Sequence, residues 1–407
     1  MINDMYKKSM NNKLSRNSKF LMIADLMYST TGIFVNTFLV AYFLKITNES
    51  IVQISIFYII IYFLLSLGNL LIGKLVKIKP KYRIKLLSFG AILRAVFILL
   101  IAILKEKIAT LFPLVAILYA ISEVFYWVVH ETIFIEIVSN ENRKNYMALK
   151  TILGKIINIV VPIILGTSIE LYSFSKIAVC IFIISLIQII SSLKIGKVSD
   201  CEKETNKDYS ISKFINNLNE RQKYKIKKYV KSAVAYGVIE SSMNSLVVII
   251  TIMVFKTSFN LGILTSIFSV CSMLTLYLYK KYYNKNNAKY VLYICSILIV
   301  LSVLGLIFDI NKVTLIIYNS LYTISISILT VIYNTKKGNL VRECNIEKWK
   351  IEYVVYVSLF IAIGRVLGYI LMLIAGIINS IAVFKILLII TSVFAPVYAK
   401  LMCDVEK

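Results

Sequence analysis

The side chains of this sequence that could do chemistry are few, and they fall in stripes inside long apolar runs. Asp25, Ser29, Gly32 and Asn36 recur at intervals of four, three and four residues. That spacing puts them on one face of an α-helix. Glu123, Tyr126, Trp127, His130 and Glu131 share a wedge of helix surface about 140° wide at ~100° per residue, while Glu136 points away. Tyr236, Glu240 and Asn244 follow one another a turn apart, and Tyr318, Tyr322, Ser325 and Tyr333 share a face.

Charged groups in an apolar run are costly unless they meet a cavity or a partner. Taken out of water, a carboxyl favours its protonated form, and imidazole titrates near neutrality. Proton exchange is therefore open to Glu123, His130, Glu131, Asp25 and Glu240, and Glu123, near the centre of its run, leads. In exchange for its proton such an acid could take a cationic solute. Tyr126, Trp127, Tyr318 and Tyr322 could hold that cation, or an aromatic ring, by cation–π contact, with Asn36 and Asn244 as hydrogen-bonding neighbours. The same tyrosines also read as interface anchors, and Asp25 as a solvated helix-end acid. For an anionic solute the leading ligands are instead Arg94 and Arg365. Lys155 and Arg365 read as gate residues that pair with acids, although Lys155 also fits simple snorkelling to an interface.

The elements that must position these groups follow from composition. The 407 residues are 59% hydrophobic and only 16% charged, with a mean hydropathy of +0.80. A soluble surface usually needs ~25% charged residues. The net charge of +25 sits in short basic clusters between apolar runs, without the interleaved aromatics of a nucleic-acid surface. Twelve segments are long enough to cross a ~30 Å hydrocarbon layer as helices. They are 20–44, 51–76, 86–104, 111–138, 151–171, 177–196, 232–255, 261–279, 290–308, 313–335, 354–376 and 381–402. The first exceeds the ~7–15 residues of a secretory apolar region. Most Lys and Arg fall in the tails and alternate loops, whereas the opposite loops hold Lys45, Lys105, Lys107, Lys176, Lys256 and Lys312. By the positive-inside rule both termini are cytoplasmic and the protein belongs in the cytoplasmic membrane.

The chain divides at a basic stretch into a half at 1–196, a linker at 197–231 and a half at 232–407. The second part of the linker, with Phe214, Ile215, Leu218 and Ile226 among charges, reads as a plain linker or as an amphipathic helix on the inner leaflet. Gly154-Lys155 followed by Gly166 recurs as Gly364-Arg365 followed by Gly376, so the halves look like repeats. The six cysteines are scattered and His130 is the single histidine, so neither a metal site nor a cofactor is expected. No phosphate-binding or dinucleotide motif is present, and His130-Glu131-Thr-Ile-Phe134 lacks the second histidine of a zinc protease. The chain does not read as an enzyme. Its richness in Ile, Lys and Asn suggests a bacterial source.

This layout resembles the major facilitator superfamily over nearly the whole chain. The residues that carry the likeness include the loop after the second helix, where Gly73, Lys77, Pro80, Lys81 and Arg83 stand against the family pattern G-x-x-x-D-[RK]-x-G-[RK]-[RK]. Lys77 replaces the acid and Pro80 the second glycine. In the fifth helix Pro162 and Gly166 keep part of the exporters' G-P-x-x-G-G element. The resemblance implies an all-α polytopic membrane protein of twelve transmembrane helices in two pseudo-symmetric six-helix bundles. It implies a monomer in the lipid bilayer that moves a small-molecule substrate, coupled to a proton or other ion, through a cavity lined by helices one, four, seven and ten. Gly73, Lys77 and Arg83 then join the gating candidates. Proton-coupled export of a small organic solute is the first reading; uptake, and a transport-inactive sensor or scaffold, are the alternatives.

Overall fold

A computed structural model of the protein describes residues 14–47, 50–138, 140–196, 208–282 and 287–405. The described residues form twelve long helices and no strand. In the N-terminal half these are α1 (Arg16–Ile46), α2 (Ile51–Ile78), α3 (Arg83–Leu104), α4 (Ile108–Ile137), α5 (Asn140–Leu171) and α6 (Phe174–Leu193). The C-terminal half holds α7 (Glu220–Phe255), α8 (Ser258–Tyr282), α9 (Ala288–Phe308), α10 (Lys312–Glu343), α11 (Lys350–Ile378) and α12 (Ile381–Val405). Local signals set several ends. Ser15 accepts from the Ser18 amide at the start of α1, and capping boxes open α7 (Asn219 with Gln222) and α10 (Asn311 with Thr314). Lys256 and Asn379 end α7 and α11 in the left-handed conformation.

The outer surface is apolar: Phe63, Leu71, Ile103, Ile164, Leu193 and Phe308 all stand exposed. In water such a surface would drive aggregation, and in a bilayer it meets lipid. Each half is closed within itself, and two seams join them, α2 against α11 and α5 against α8. The seams are tight because small residues meet there. A Cβ on Gly262 of α8 would lie 2.3 Å from the Pro162 carbonyl oxygen of α5, and its Cα is 3.2 Å from the Cβ position of Gly166. Backbones approach this closely across lipid-embedded interfaces where no side chain intervenes.

Several helices outrun their apolar stretches. α5 starts at Asn140 rather than near 151, α7 at Glu220 rather than near 232, and α10 runs on to Glu343. Hydropathy marks where a helix meets lipid, not where its hydrogen bonding stops. The extensions are held by packing and ion pairs, Lys228 to Asp404 at 2.9 Å and Lys336 to Glu343 at 3.2 Å among them. The start of the linker, 197–207, lies outside the described residues. Its later part forms a short helix, Ile211–Asn216, and then the first turns of α7. Phe214, Leu218 and Ile226 are buried, with Phe214 against Trp349, Tyr353 and Tyr356, so that apolar face covers protein instead of a leaflet.

α1 and α7 carry matching irregularities. Each contains a π-helical stretch, Phe34–Leu39 in one and Ile239–Met243 in the other. Such widened turns are rare and recur at functional sites. Asn36 lies within the first, and Asn244 directly follows the second.

Candidate functional site

The polar stripes converge into three groups, the first two centred on buried charges and the third half-buried. In the first, Asp25 of α1 is 2% exposed and sits among four partners. Tyr126 donates to Oδ1 at 2.8 Å, and His130 Nε2 lies 2.5 Å from the same oxygen. Lys150 and Tyr146 of α5 donate to Oδ2 at 2.6 and 3.1 Å. Asp25 is therefore not a solvated helix-end acid: it ties α1, α4 and α5 together. The second group centres on Arg94 of α3, which pairs with Glu123 Oε1 at 2.5 Å and donates from Nε to Thr31 at 2.8 Å. Tyr28 and Trp127 donate to the other Glu123 oxygen at 2.5 and 2.9 Å. The guanidinium also lies 4.0 Å from the centre of the Tyr28 ring, which stacks on Tyr126 at 3.7 Å and so links the two groups.

The third group lies in the C-terminal half. Arg365 of α11 holds Glu240 of α7 with two bonds, at 2.7 and 3.1 Å. This forked pairing suits a guanidinium against a carboxylate. Across the α2 seam, the same guanidinium sits 5.0 Å from the centre of the Tyr62 ring. Tyr318 and Tyr322 are buried within this half, donating to the Met243 carbonyl at 3.4 Å and to Asn244 Oδ1 at 2.8 Å.

Between the halves lies a cavity of about 310 Å³. Asn36 and Thr37 of α1, Lys155 and Asn158 of α5, Asn244 of α7 and Asn319 of α10 reach it, and Leu261, Phe268 and Ser272 of α8 complete its lining. Asn36, Asn244 and Lys155 thus share one cavity. The aromatic candidates Tyr126, Trp127, Tyr318 and Tyr322, the four acids Asp25, Glu123, Glu131 and Glu240, and His130 stand outside its lining. Lys155 does not snorkel to an interface but donates to Ser272 of α8 at 2.9 Å.

At the face of the bundle that carries both chain termini, two ion pairs cross from one half to the other. Lys77 of α2 pairs with Glu352 of α11, both buried, with Trp349 stacked against the ammonium. Glu131 of α4 meets Lys337 of α10 at 2.9 Å. Gly73 sits beside the first pair, where a Cβ would lie 2.6 Å from Val355 and 2.9 Å from the Tyr209 hydroxyl. Arg83 stays within its half, bound to Glu136 and donating to the Val76 carbonyl at 2.8 Å. At the opposite face the outer part of α7 (Asn244–Phe255) packs on the outer part of α1 (Val40–Ile46).

Sequence reasoning missed most of the partners: Tyr28, Thr31, Tyr62, Lys150, Asn158, Asn319, Lys337 and Glu352. A signal existed for some. Asn158 is three residues from Lys155, and Lys337 is one turn beyond Tyr333 on the α10 stripe. For Glu352 and Tyr62 none did, because their partners come from the other half.

The fold has solved counterparts. The nucleoside transporter NupG is 13% identical, with a TM-score of 0.70 over 97% of this chain and 100% of that one. A bacterial homologue of the iron transporter ferroportin, in an inward-facing state, is 11% identical with a TM-score of 0.68 over 97% and 100%. PepTSo, a transporter of the POT family, is 9% identical with a TM-score of 0.74 over 97% and 98%. No curated protein matches the sequence. The family model described as Major Facilitator Superfamily matches residues 21–342, most of the chain, and the protein belongs to that superfamily.

Proposed function

We propose that this transporter moves a small polar solute across the cytoplasmic membrane by alternating access, with its termini in the cytoplasm. The observation that carries the reading is the polar cavity between the halves, with inter-half contacts on both of its sides. The α2–α11 and α5–α8 seams act as the pivots. Lys77–Glu352 and Glu131–Lys337 form the cytoplasmic gate and must break for solute to pass to that side. Lys77 takes the place of the acid in the family pattern, and Glu352 supplies the opposite charge, so the gate works with its signs exchanged.

Coupling to protons runs through Asp25 and His130, the one place where the single imidazole meets a buried carboxylate. Protonation of that imidazole changes the charge of a group that joins α1, α4 and α5. Export is the inferred direction, supported by the Pro162–Gly166 element of α5. Spin labels on the two halves, placed at the terminal face and at the opposite face, test the reading by distance measurement. Alternating access requires the two distances to change in opposite senses when the gate is broken by Glu352→Gln. Unchanged distances at both faces would leave a static scaffold instead. Proton movement in proteoliposomes, driven by a solute gradient of either sense, separates export from uptake.

A further inference from the structure

We infer that the central cavity binds a small organic carboxylate whose charge pairs with Lys155 and which also carries a hydrogen-bond donor. The inference rests on the cavity being the solute site proposed above, and it names the class of solute. Other cations within the bundle have acids as partners: Arg94 has Glu123, Arg365 has Glu240, Lys77 has Glu352 and Arg83 has Glu136. Lys155 differs. Its ammonium lines the cavity with the Ser272 hydroxyl as its hydrogen-bond partner, and among the described lining residues there is no Asp or Glu.

The internal repeat shows what is missing. Lys155 corresponds to Arg365 in the paired Gly-Lys and Gly-Arg elements. Arg365 has the carboxylate of Glu240, on α7, as its counter-charge, whereas Lys155 meets the Ser272 hydroxyl. The C-terminal half therefore neutralises its own cation, whereas the N-terminal half presents its cation to the cavity. An ammonium has three donors and no acceptor, so a bound group that accepts several hydrogen bonds and carries negative charge completes it.

The α10 part of the lining adds the second requirement. Asn319 lines the cavity, its Oδ1 is buried without a hydrogen-bond partner, and its Nδ2 lies 3.5 Å from Thr251 Oγ1. A buried amide oxygen left unpaired is costly unless a ligand donor reaches it. The ligand thus needs a carboxylate for Lys155 and an N–H or O–H for Asn319, as a hydroxy acid or an amino acid provides. Among the described lining residues Phe268 is the one aromatic, which does not suit an organic cation.

The test begins with the charge of the cavity and needs no known substrate. In a full-length chain freed of its own cysteines, Ser269→Cys places a thiol on the cavity wall one turn from Ser272. Its rates with a sulfonate-bearing and a trimethylammonium-bearing methanethiosulfonate are compared, with Lys155 present and in Lys155→Met and Lys155→Arg. A fixed positive charge several ångströms away should favour the anionic reagent by at least about tenfold. Loss of that preference in Lys155→Met and its retention in Lys155→Arg support the inference. A rate ratio equal in all three overturns it while leaving the cavity reading intact; if neither reagent reacts, the cavity reading falls and this inference with it. Malate, lactate, glutamate and their uncharged amides are then compared by melting temperature. Stabilisation by a carboxylate, lost in Lys155→Met and absent with its amide, identifies the class. Stabilisation by the amides alone, or by none of these compounds, rejects it.

Discussion

Replacing Glu123 by glutamine should be among the costliest single changes in the N-terminal half. The carboxylate takes Arg94 on one oxygen and both Tyr28 and Trp127 on the other. A glutamine amide turned either way presents an NH2 to donors, against the guanidinium or against the Tyr28–Trp127 pair. The Arg94 side chain is 2% exposed and its Nη2 already lacks a partner, so water cannot replace what is lost. Breaking a buried ion pair by removing one partner costs about 3–5 kcal/mol. Thr31 still holds Nε and the Tyr28 ring still faces the guanidinium, which argues for the lower end, about 3 kcal/mol. Arg94→Met combined with Glu123→Gln removes both charges, and should cost less than the two single changes together by about 2 kcal/mol. Reversible unfolding in mixed detergent micelles, followed by tryptophan fluorescence, measures all three variants. A Glu123→Gln protein within ~0.5 kcal/mol of wild type would refute the reasoning. It would mean that the side chain works in its neutral form, restoring Glu123 as the proton carrier suggested by its depth in α4.

Four further outcomes follow from the geometry. Lys77→Glu or Glu352→Lys alone puts like charges in a buried site and should open the terminal face, raising the reactivity of a cavity cysteine from that side; the double exchange should restore closure, and failure to do so means the pair is not a gate. Phe214→Ala should cost about 3 kcal/mol by micelle unfolding, since the ring is buried on protein; a negligible effect would mean the ring lies in lipid. Gly262→Val drives a branched side chain into the Pro162 carbonyl and should cost about 1–3 kcal/mol, with flux reduced in proteoliposomes; normal stability and flux would show that α5 and α8 need not approach closely. Arg365→Lys keeps the charge but loses the fork onto Glu240, so flux should be impaired with a stability loss by micelle unfolding smaller than that of Arg365→Gln, and equal losses would show that the fork is not what holds the pair.

Much of the architecture was legible in the one-dimensional pattern. Long apolar runs spell membrane helices because lipid offers no partner for backbone groups, and the alternating basic loops set an expected orientation. The repeat of Gly154-Lys155 in Gly364-Arg365 is the sequence's own sign of two related halves. The stripe on α1 was readable because helical periodicity alone puts Asp25 and Asn36 on one face. So was the buried nature of Arg94 and Glu123, since a charge inside an apolar run must find a partner.

Which partner it finds is not written in local pattern. Asp25 reads alike whether it meets solvent or, as here, His130 and Lys150, because the deciding residues lie more than a hundred positions away. Hydropathy likewise could not say that Phe214 is covered by α11, since lipid and protein are equally apolar hosts. The aromatic residues of α4 and α10 match a cation site by type, yet the rotation of each helix turns them into its own half and leaves amides, hydroxyls and Lys155 at the cavity. Sequence by itself determined the helices, the halves and the set of groups that had to be paired. Only the tertiary structure decided the pairing, because helix rotation and the approach of distant segments are fixed by packing between elements, and among the described lining residues the cation that packing leaves facing the cavity is Lys155.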